Sequence, residues 1–194
     1  MTSTATARKR RADAERSIAS IIDAAIRSFG RRPDVSMAEI ADVAGVGRVT
    51  LYAHFPSREK LLAAAIDRAA QDVMASVDAA GIDDGPAPAA MSRMLHAAWS
   101  ELDWFWGLHV AAHGQSAGWA HEHSAPFLAR IERLIKRGQA EGSFRGDLPR
   151  PWLVAALYGL IHTAGTEAQA GRLDQAAPAI LEQSVLALLA PPRI

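Results

Sequence analysis

The 194-residue sequence contains no cysteine, which excludes every kind of site that needs a thiolate. Disulfide frameworks, cysteine-ligated zinc, iron–sulfur clusters and thiol nucleophiles are therefore ruled out. The absence fits a reducing compartment, so we expect a cytoplasmic protein. The sequence also lacks any apolar run of the ~18 residues that a membrane span needs. Its basic N-terminal run is followed by polar residues and not by the apolar segment of a signal peptide, so we expect neither a membrane span nor export by that route.

The sequence has no net charge, and this balance hides a difference between its two parts. Residues 1–60 hold 11 Lys and Arg against 7 Asp and Glu, whereas residues 61–194 hold 10 against 14. Residues 8–11 supply four cations before the first acidic residue, Asp13. A basic N-terminal part suits a polyanionic partner. A disordered, solvated tail explains the same charges equally well.

Period-two alternation, the mark of strands, is also missing, while apolar residues recur at helical spacing through the whole chain. Breaks fall at Pro33 and at glycine-containing turns. The sequence therefore predicts an all-α protein with about nine helices. They are expected at residues 15–30, 37–43, 48–54, from 57 to about 79, and at 88–103, 104–114, 123–141, 149–169 and 174–190.

The second and third predicted helices have the arrangement of a helix-turn-helix motif. Ser36 and Glu39 have the spacing of a capping box, which starts a helix at Met37. Residues 44–47 then form a turn that needs the permissive backbone of glycine. In a helix-turn-helix motif, the N-terminal part of the second helix enters the major groove of DNA. The pattern therefore predicts that residues 48–54 contact DNA.

The residues expected to contact DNA fall into two groups, those that can reach base edges and those that can reach phosphates. Arg48 and Thr50, at the start of the third helix, can reach base edges. Tyr52, His54 and Arg58 can reach phosphates, and Arg58 lies in the first turn of the fourth helix, where backbone amides also favour an anion.

Residues 40–62, IADVAGVGRVTLYAHFPSREKLL, closely resemble the signature of TetR-type transcriptional repressors. The resemblance covers roughly residues 15–64, while the remainder agrees only in length and helical pattern. Two positions depart from the family pattern. Gly47 stands where a serine or similar polar residue is usual, which removes a helix-capping hydroxyl. Val49 stands where glycine or another residue is common, and it offers an apolar contact, for instance to a thymine methyl group.

The C-terminal two-thirds of the chain concentrates tryptophan and histidine. Four of the five Trp and five of the seven His lie between residues 96 and 123. Large amphipathic side chains with a few polar tips are the usual walls of a small-molecule pocket. An ordinary aromatic core with surface histidines is the alternative. The predicted ligand-binding residues are Trp99, Trp104, Phe105, Trp106, His109 and His113.

The histidines of this cluster give only a weak metal-site pattern. His109 and His113, four residues apart, share a helix face, whereas His121 and His123 do not. No glutamate suited to act as a general base lies between the first pair, and no third ligand is evident. The sequence also lacks the Gly-x-Ser-x-Gly motif of hydrolases. We therefore predict no metal, no cofactor and no catalytic residue.

The last two predicted helices carry apolar stripes. Because one helix-turn-helix reads only a few base pairs, two copies related by a dyad are needed to specify a site, and the TetR resemblance places the dimer interface on these helices. Intramolecular packing alone is the other explanation. The stripes are Trp152, Ala155, Ala156, Gly159, Leu160 and Thr163 in one helix, and Leu181, Val185, Leu188 and Leu189 in the other.

These observations together predict three segments and one function. We expect a basic disordered arm over residues 1–14, a helix-turn-helix DNA-binding domain over 15–60, and an all-helical effector-binding and dimerisation domain over 61–194, joined through a long helix. The predicted function is that of a ligand-responsive homodimeric repressor, released from a palindromic operator in double-stranded DNA by a small-molecule effector. An architectural DNA-binding protein without a ligand is the alternative, and a metal-dependent hydrolase is a remote one.

Overall fold

A computed structural model describes residues 2–112 and 117–192, with side chains for all of these except residues 2–7, 9–10, 101–106, 109 and 117–123. Within these ranges the chain forms eight α-helices and no strand, so the predicted all-α fold is confirmed. None of the described helices combines the length and the hydropathy needed to cross a bilayer. The helices are α1 (Thr2–Arg31), α2 (Met37–Ala44), α3 (Arg48–His54), α4 (Arg58–Ala79), α5 (Ala87–Ala111), α6 (Ala117–Ala140), α7 (Arg150–Gln169) and α8 (Ala177–Leu189).

Helix α1 is longer than the sequence pattern indicates. It begins at Thr2, so the segment 1–14, predicted as a disordered arm, is helical in the structure from that residue on. Residues 2–29 contain no glycine or proline and are rich in alanine and arginine, which favour helix. An ion pair four residues apart, between Arg11 Nε and Glu15 Oε1 at 3.3 Å, adds support on the exposed surface.

Helix α5 is continuous where two helices, 88–103 and 104–114, were predicted. No proline or glycine stands between Pro88 and Gly107, so nothing in the chain interrupts the backbone hydrogen bonds at residue 104. Helix α6 likewise starts at Ala117, earlier than predicted, and continues through Pro126. The described residues therefore contain one helix fewer than expected.

The buried side chains form two hydrophobic cores. The N-terminal core is built by α1, α2, α3 and the first half of α4, and the C-terminal core by the rest of α4 with α5 to α8. Helix α4 contributes Ile66 to the first core and Val77 to the second. Helix α5 contributes Met94 to the C-terminal core and Leu108, near its other end, to the N-terminal one. The N-terminal core thus extends beyond residue 60, the predicted domain boundary.

Helices α1 and α5 meet in a close backbone contact at two glycines, Gly30 and Gly107. A Cβ atom added to Gly107 would lie 2.3 Å from both Cα and the carbonyl oxygen of Gly30. The two backbones are therefore in direct contact, and no side chain fits at residue 107 without displacing α1.

Candidate nucleic-acid interface

The start of α2 is fixed by the predicted capping box. The Ser36 hydroxyl accepts a hydrogen bond from the Glu39 amide at 3.3 Å, and the Ser36 amide donates to Glu39 Oε2 at 2.9 Å. Arg32 also pairs with this carboxylate. Hydrogen bonds from the Ser36 hydroxyl and amide, with a further one from Arg32, lower the pKa of Glu39 to about 2. The capping box is confirmed, and its carboxylate is charged at neutral pH.

The turn between α2 and α3 depends on Gly45, which has φ 69° and ends α2 in the left-handed conformation. The amide of Val46 donates to Ala41 O at 3.0 Å, which closes the turn. Ser20 of α1 donates its hydroxyl hydrogen to Ala44 O at 2.9 Å, so the turn is also held to the first helix. Gly47 follows as the N-cap of α3 and provides no side-chain hydrogen bond, as its departure from the family pattern predicted.

Helix α3 has one buried side and one open side. Leu51 is completely buried and Phe55, the residue that follows the helix, is almost so. Val49 is 85% exposed and Tyr52 49% exposed, which leaves large apolar surface in water. Arg48 and Thr50 are exposed too. The structure therefore brings four of the predicted DNA contacts together on the open side of α3.

His54 and Arg58 lie beside this surface and are half-buried. The Arg58 guanidinium stacks over the Phe29 ring, 4.6 Å from its centroid, and donates hydrogen bonds to the carbonyl oxygens of Val35 and Pro33. This differs from the phosphate contact predicted for Arg58, because its terminal nitrogens already bind the backbone between α1 and α2. The sequence placed Arg58 correctly in α4 and did not indicate these partners, which are 23 and 25 residues away.

Two exposed residues of the N-terminal domain, Val43 and Lys60, were not selected from the sequence. Val43, near the end of α2, is 56% exposed. Its helical position, away from the face formed by buried Met37, Ile40 and Ala41, was the available signal. Lys60 is exposed in the first turn of α4 and has no ion-pair partner within the described residues. It is a cation free to reach a phosphate.

The predicted ligand-binding residues are described only in part. Trp99 is half-buried and packs against the C-terminal core. The side chains of Trp104, Phe105, Trp106 and His109, and the whole of His113, lie outside the described residues. In the described part of the chain, no three His, Asp or Glu side chains are placed to hold a metal ion.

The C-terminal domain has a solvent-open groove of about 440 Å³ between α6 and α7. Leu128, Val154 and Tyr158 line it, and Glu132 is its charged residue. The Tyr158 hydroxyl lies 3.4 Å from Ser124 Oγ, across the two helices. Sequence periodicity did not indicate this groove, because its shape depends on how α6 and α7 align.

The two predicted interface stripes differ in exposure. On α7, Trp152 is 60% exposed and Gly159 is open, with no atom within 4 Å of an added Cβ. On α8, Leu181, Val185 and Leu189 are buried in the chain's own core. Intramolecular packing therefore accounts for most of the α8 stripe, while the α7 stripe stays accessible.

Residues 21–65 match the family model described as "Bacterial regulatory proteins, tetR family". These residues contain the capping box, the glycine turn and α3. The chain therefore contains a segment that is similar to the N-terminal domain of TetR-family regulators. The resemblance seen in the sequence is thus confirmed.

One protein with a similar sequence matches a longer stretch of the chain than the family model does. The chain is 36% identical over 90 residues to the HTH-type transcriptional repressor LfrR of Mycolicibacterium smegmatis, a stretch that spans 46% of each chain. The chain therefore aligns with less than half the length of this relative.

Solved structures of TetR-like regulators share the fold of about nine-tenths of the chain. The crystal structure of LfrR from Mycobacterium smegmatis in complex with proflavine has a TM-score of 0.70 at 22% identity, covering 90% of this chain and 97% of LfrR. A TetR-family regulator from Rhodococcus sp. has a TM-score of 0.77 at 18% identity, covering 89% and 98%. At these identities the likeness shows the fold, including the C-terminal helices.

Proposed function

We propose that this protein is a ligand-responsive transcriptional regulator that binds a palindromic operator as a homodimer, in the cytoplasm, and acts as a repressor. The observation that carries the proposal is the open side of α3, which presents Arg48, Val49 and Thr50 from a domain matched by the TetR family model. The sequence relative LfrR is a transcriptional repressor, which supports repression.

In the proposed complex, α3 lies in the major groove. Arg48 hydrogen-bonds a guanine edge, Thr50 a neighbouring base, and Val49 contacts a thymine methyl group. Tyr52 and His54 contact phosphates beside them. Lys60 supplies the phosphate contact first assigned to Arg58, because the Arg58 guanidinium holds the loop before α2.

The dimer of this proposal uses the exposed stripe of α7. Gly159 and its small neighbours allow close approach of a second helix, and Trp152 supplies apolar area at the end of the stripe. Two copies related by a dyad place their α3 helices in successive major grooves, about 34–36 Å apart.

The effector is proposed to bind in the C-terminal domain, where Trp99 and the aromatic and histidine residues that follow it were predicted to form a pocket. Proflavine is the ligand in the LfrR crystal structure, which supports a small, largely apolar effector. Because α4 and α5 each contribute to both cores, a ligand that shifts either helix changes the orientation of the DNA-binding domain.

The test is selection of binding sites from random DNA duplexes by the full-length protein. We expect two inverted half-sites, and we expect Arg48→Ala to lose about 1–3 kcal/mol of discrimination between that site and random DNA. Arg133→Ala, an exposed arginine on α6, is the matched control and should leave binding unchanged. Equal binding of selected and random duplexes by the wild-type protein would instead favour an architectural DNA-binding protein.

A further inference from the structure

The groove between α6 and α7 has a defined polarity along its length. The two helices run antiparallel, with Ser124 beside Tyr158 and the amide oxygen of Gln139 3.2 Å from Arg150 Nε. Glu132 lies between these two cross-contacts, eight residues along α6 from Ser124, which is about 12 Å at 1.5 Å per residue. The groove therefore has a carboxylate towards one end and an aromatic hydroxyl at the other.

The residues that line the groove favour a positively charged ligand. Apart from Glu132, the groove is lined by aliphatic side chains, alanines, a proline and Tyr158, so its one full charge at neutral pH is negative. Glu132 is exposed and has no ion-pair partner within the part of the chain that the structure describes. An organic anion would meet an unfavourable charge here, whereas a cation is attracted by the carboxylate of Glu132 and can also contact Tyr158.

The groove also has room for a ligand of drug-like size. Its volume of about 440 Å³ falls within the range of about 300–1,000 Å³ that is usual for small-molecule sites. From these features we infer that the α6–α7 groove is a second ligand site, separate from the pocket predicted around Trp99, and that it binds an elongated, apolar organic cation. The inference rests on the proposed function, because it adds a ligand site to the proposed regulator.

The proposed dimer leaves most of this site accessible. On α7, at 3.6 residues per turn, Tyr158 lies roughly 100–120° around the helix from Trp152 and Gly159, and Val154 roughly 140–160°. Ala155 belongs both to the groove and to the interface stripe, so a second copy seated on the stripe contacts one edge of the groove without filling it.

The experiment uses the full-length protein and two dyes of opposite charge whose fluorescence rises on binding. Thioflavin T is an elongated cation, and 1-anilinonaphthalene-8-sulfonate is an anion. We expect thioflavin T to bind the wild-type protein and the anion not to compete with it. Glu132→Gln should weaken thioflavin T binding by about two- to fivefold, within the range of a solvent-exposed ion pair, and this difference should shrink at high salt.

Two further variants locate the binding. Ala129→Phe places a ring in the groove from an exposed position on α6 and should reduce thioflavin T affinity more than tenfold. Asp83→Asn removes an exposed carboxylate elsewhere in the same domain and should change nothing. Thioflavin T should also weaken operator binding by the wild-type protein, and should do so less for Glu132→Gln. Any direct effect of the dye on DNA is the same for both proteins, so a difference between them reports the groove.

Several results would overturn the inference. These are an absence of thioflavin T binding, equal affinity in Glu132→Gln and Ala129→Phe, displacement by the anionic dye, or groove-dependent binding that leaves operator affinity unchanged. In each case the selection of binding sites from random DNA duplexes still measures specific DNA binding, independently of any ligand. Failure of the proposed function is a different result, in which no duplex is bound specifically.

Discussion

The two domains present opposite kinds of surface from the same all-helical architecture. The N-terminal domain exposes polar and apolar side chains on a short helix, α3, which is positioned by the capping box of α2 and by the turn at Gly45. The C-terminal domain exposes the small residues of α7 and an open groove lined mainly by apolar groups. The proposed surface for DNA is specified by close-range hydrogen bonds. The proposed surfaces for a ligand and for a second subunit depend instead on how long helices align.

The largest expected effect comes from breaking the contact between the two domains. Gly107→Ala places a Cβ atom against the backbone of Gly30, at 2.3 Å if nothing moves. We expect the free energy of unfolding to fall by about 1–3 kcal/mol, the usual range for overpacking. Urea unfolding measures this change. Because α1 must shift, the variant should also select operator half-sites with an altered spacing.

Gly159→Ala, measured at a protein concentration below that of dimer formation, is the matched control for this substitution, since it makes the same change within a helix where no atom of the same chain lies within 4 Å. It should raise the free energy of unfolding by about 0.5–1 kcal/mol, because alanine is the better helix former. If Gly107→Ala proved as stable as Gly159→Ala, the close contact between α1 and α5 would be contradicted.

The next effect distinguishes a residue that stabilises the N-terminal domain, Arg58, from one proposed to contact DNA, Lys60. Arg58→Ala removes two hydrogen bonds to backbone carbonyls and the stacking on Phe29. We expect a loss of about 2 kcal/mol in the free energy of unfolding, from hydrogen bonds of a charged donor. Thermal denaturation without DNA measures it.

Lys60→Ala provides the comparison, because its ammonium group is exposed and unpaired within the described residues. It should leave stability unchanged, weaken binding to all DNA sequences alike, and reduce the slope of log affinity against log salt by about 0.9. A stable Arg58→Ala protein with a reduced salt slope would show that Arg58 is itself a phosphate contact.

The smallest effect concerns the capping box. The pKa of Glu39 is lowered to about 2 from its ordinary value of 4.5, so its charged form stabilises the fold above the unfolded pKa. This stabilisation is lost as the pH falls from about 4.5 to about 2. Glu39→Gln should therefore lower the melting temperature at pH 7, and the difference from wild type should narrow through that range. A difference independent of pH would contradict the ionic role of Glu39.

The sequence predicted the local structure of α2, the glycine turn and α3 well because its determinants are close together. The capping box, Gly45 and the start of α3 all act within about one helical turn of the residues they position. The partners of Arg58 were not predictable in this way, since Val35 and Pro33 approach it only after the chain has folded.

Elsewhere, apolar periodicity failed where a helix has no apolar face or no break. The first turns of α1 are polar, so their helical state depends on intrinsic propensity, which periodicity does not register. The division predicted near residue 104 had no proline or glycine to cause it. The α6–α7 groove depends on the alignment of Ser124 with Tyr158, a contact over 34 positions that the sequence pattern does not contain.

The participation of α5 in two cores has a consequence for how the protein unfolds. A single helix supplies Met91 and Met94 to one core and Leu108 to the other, so melting it removes buried contacts from both at once. Neither domain can then open fully while the other keeps its complete interior. Amide hydrogens near Met94 and near Leu108 are expected to exchange with solvent through the same global opening, and heating is expected to give one cooperative transition in place of two.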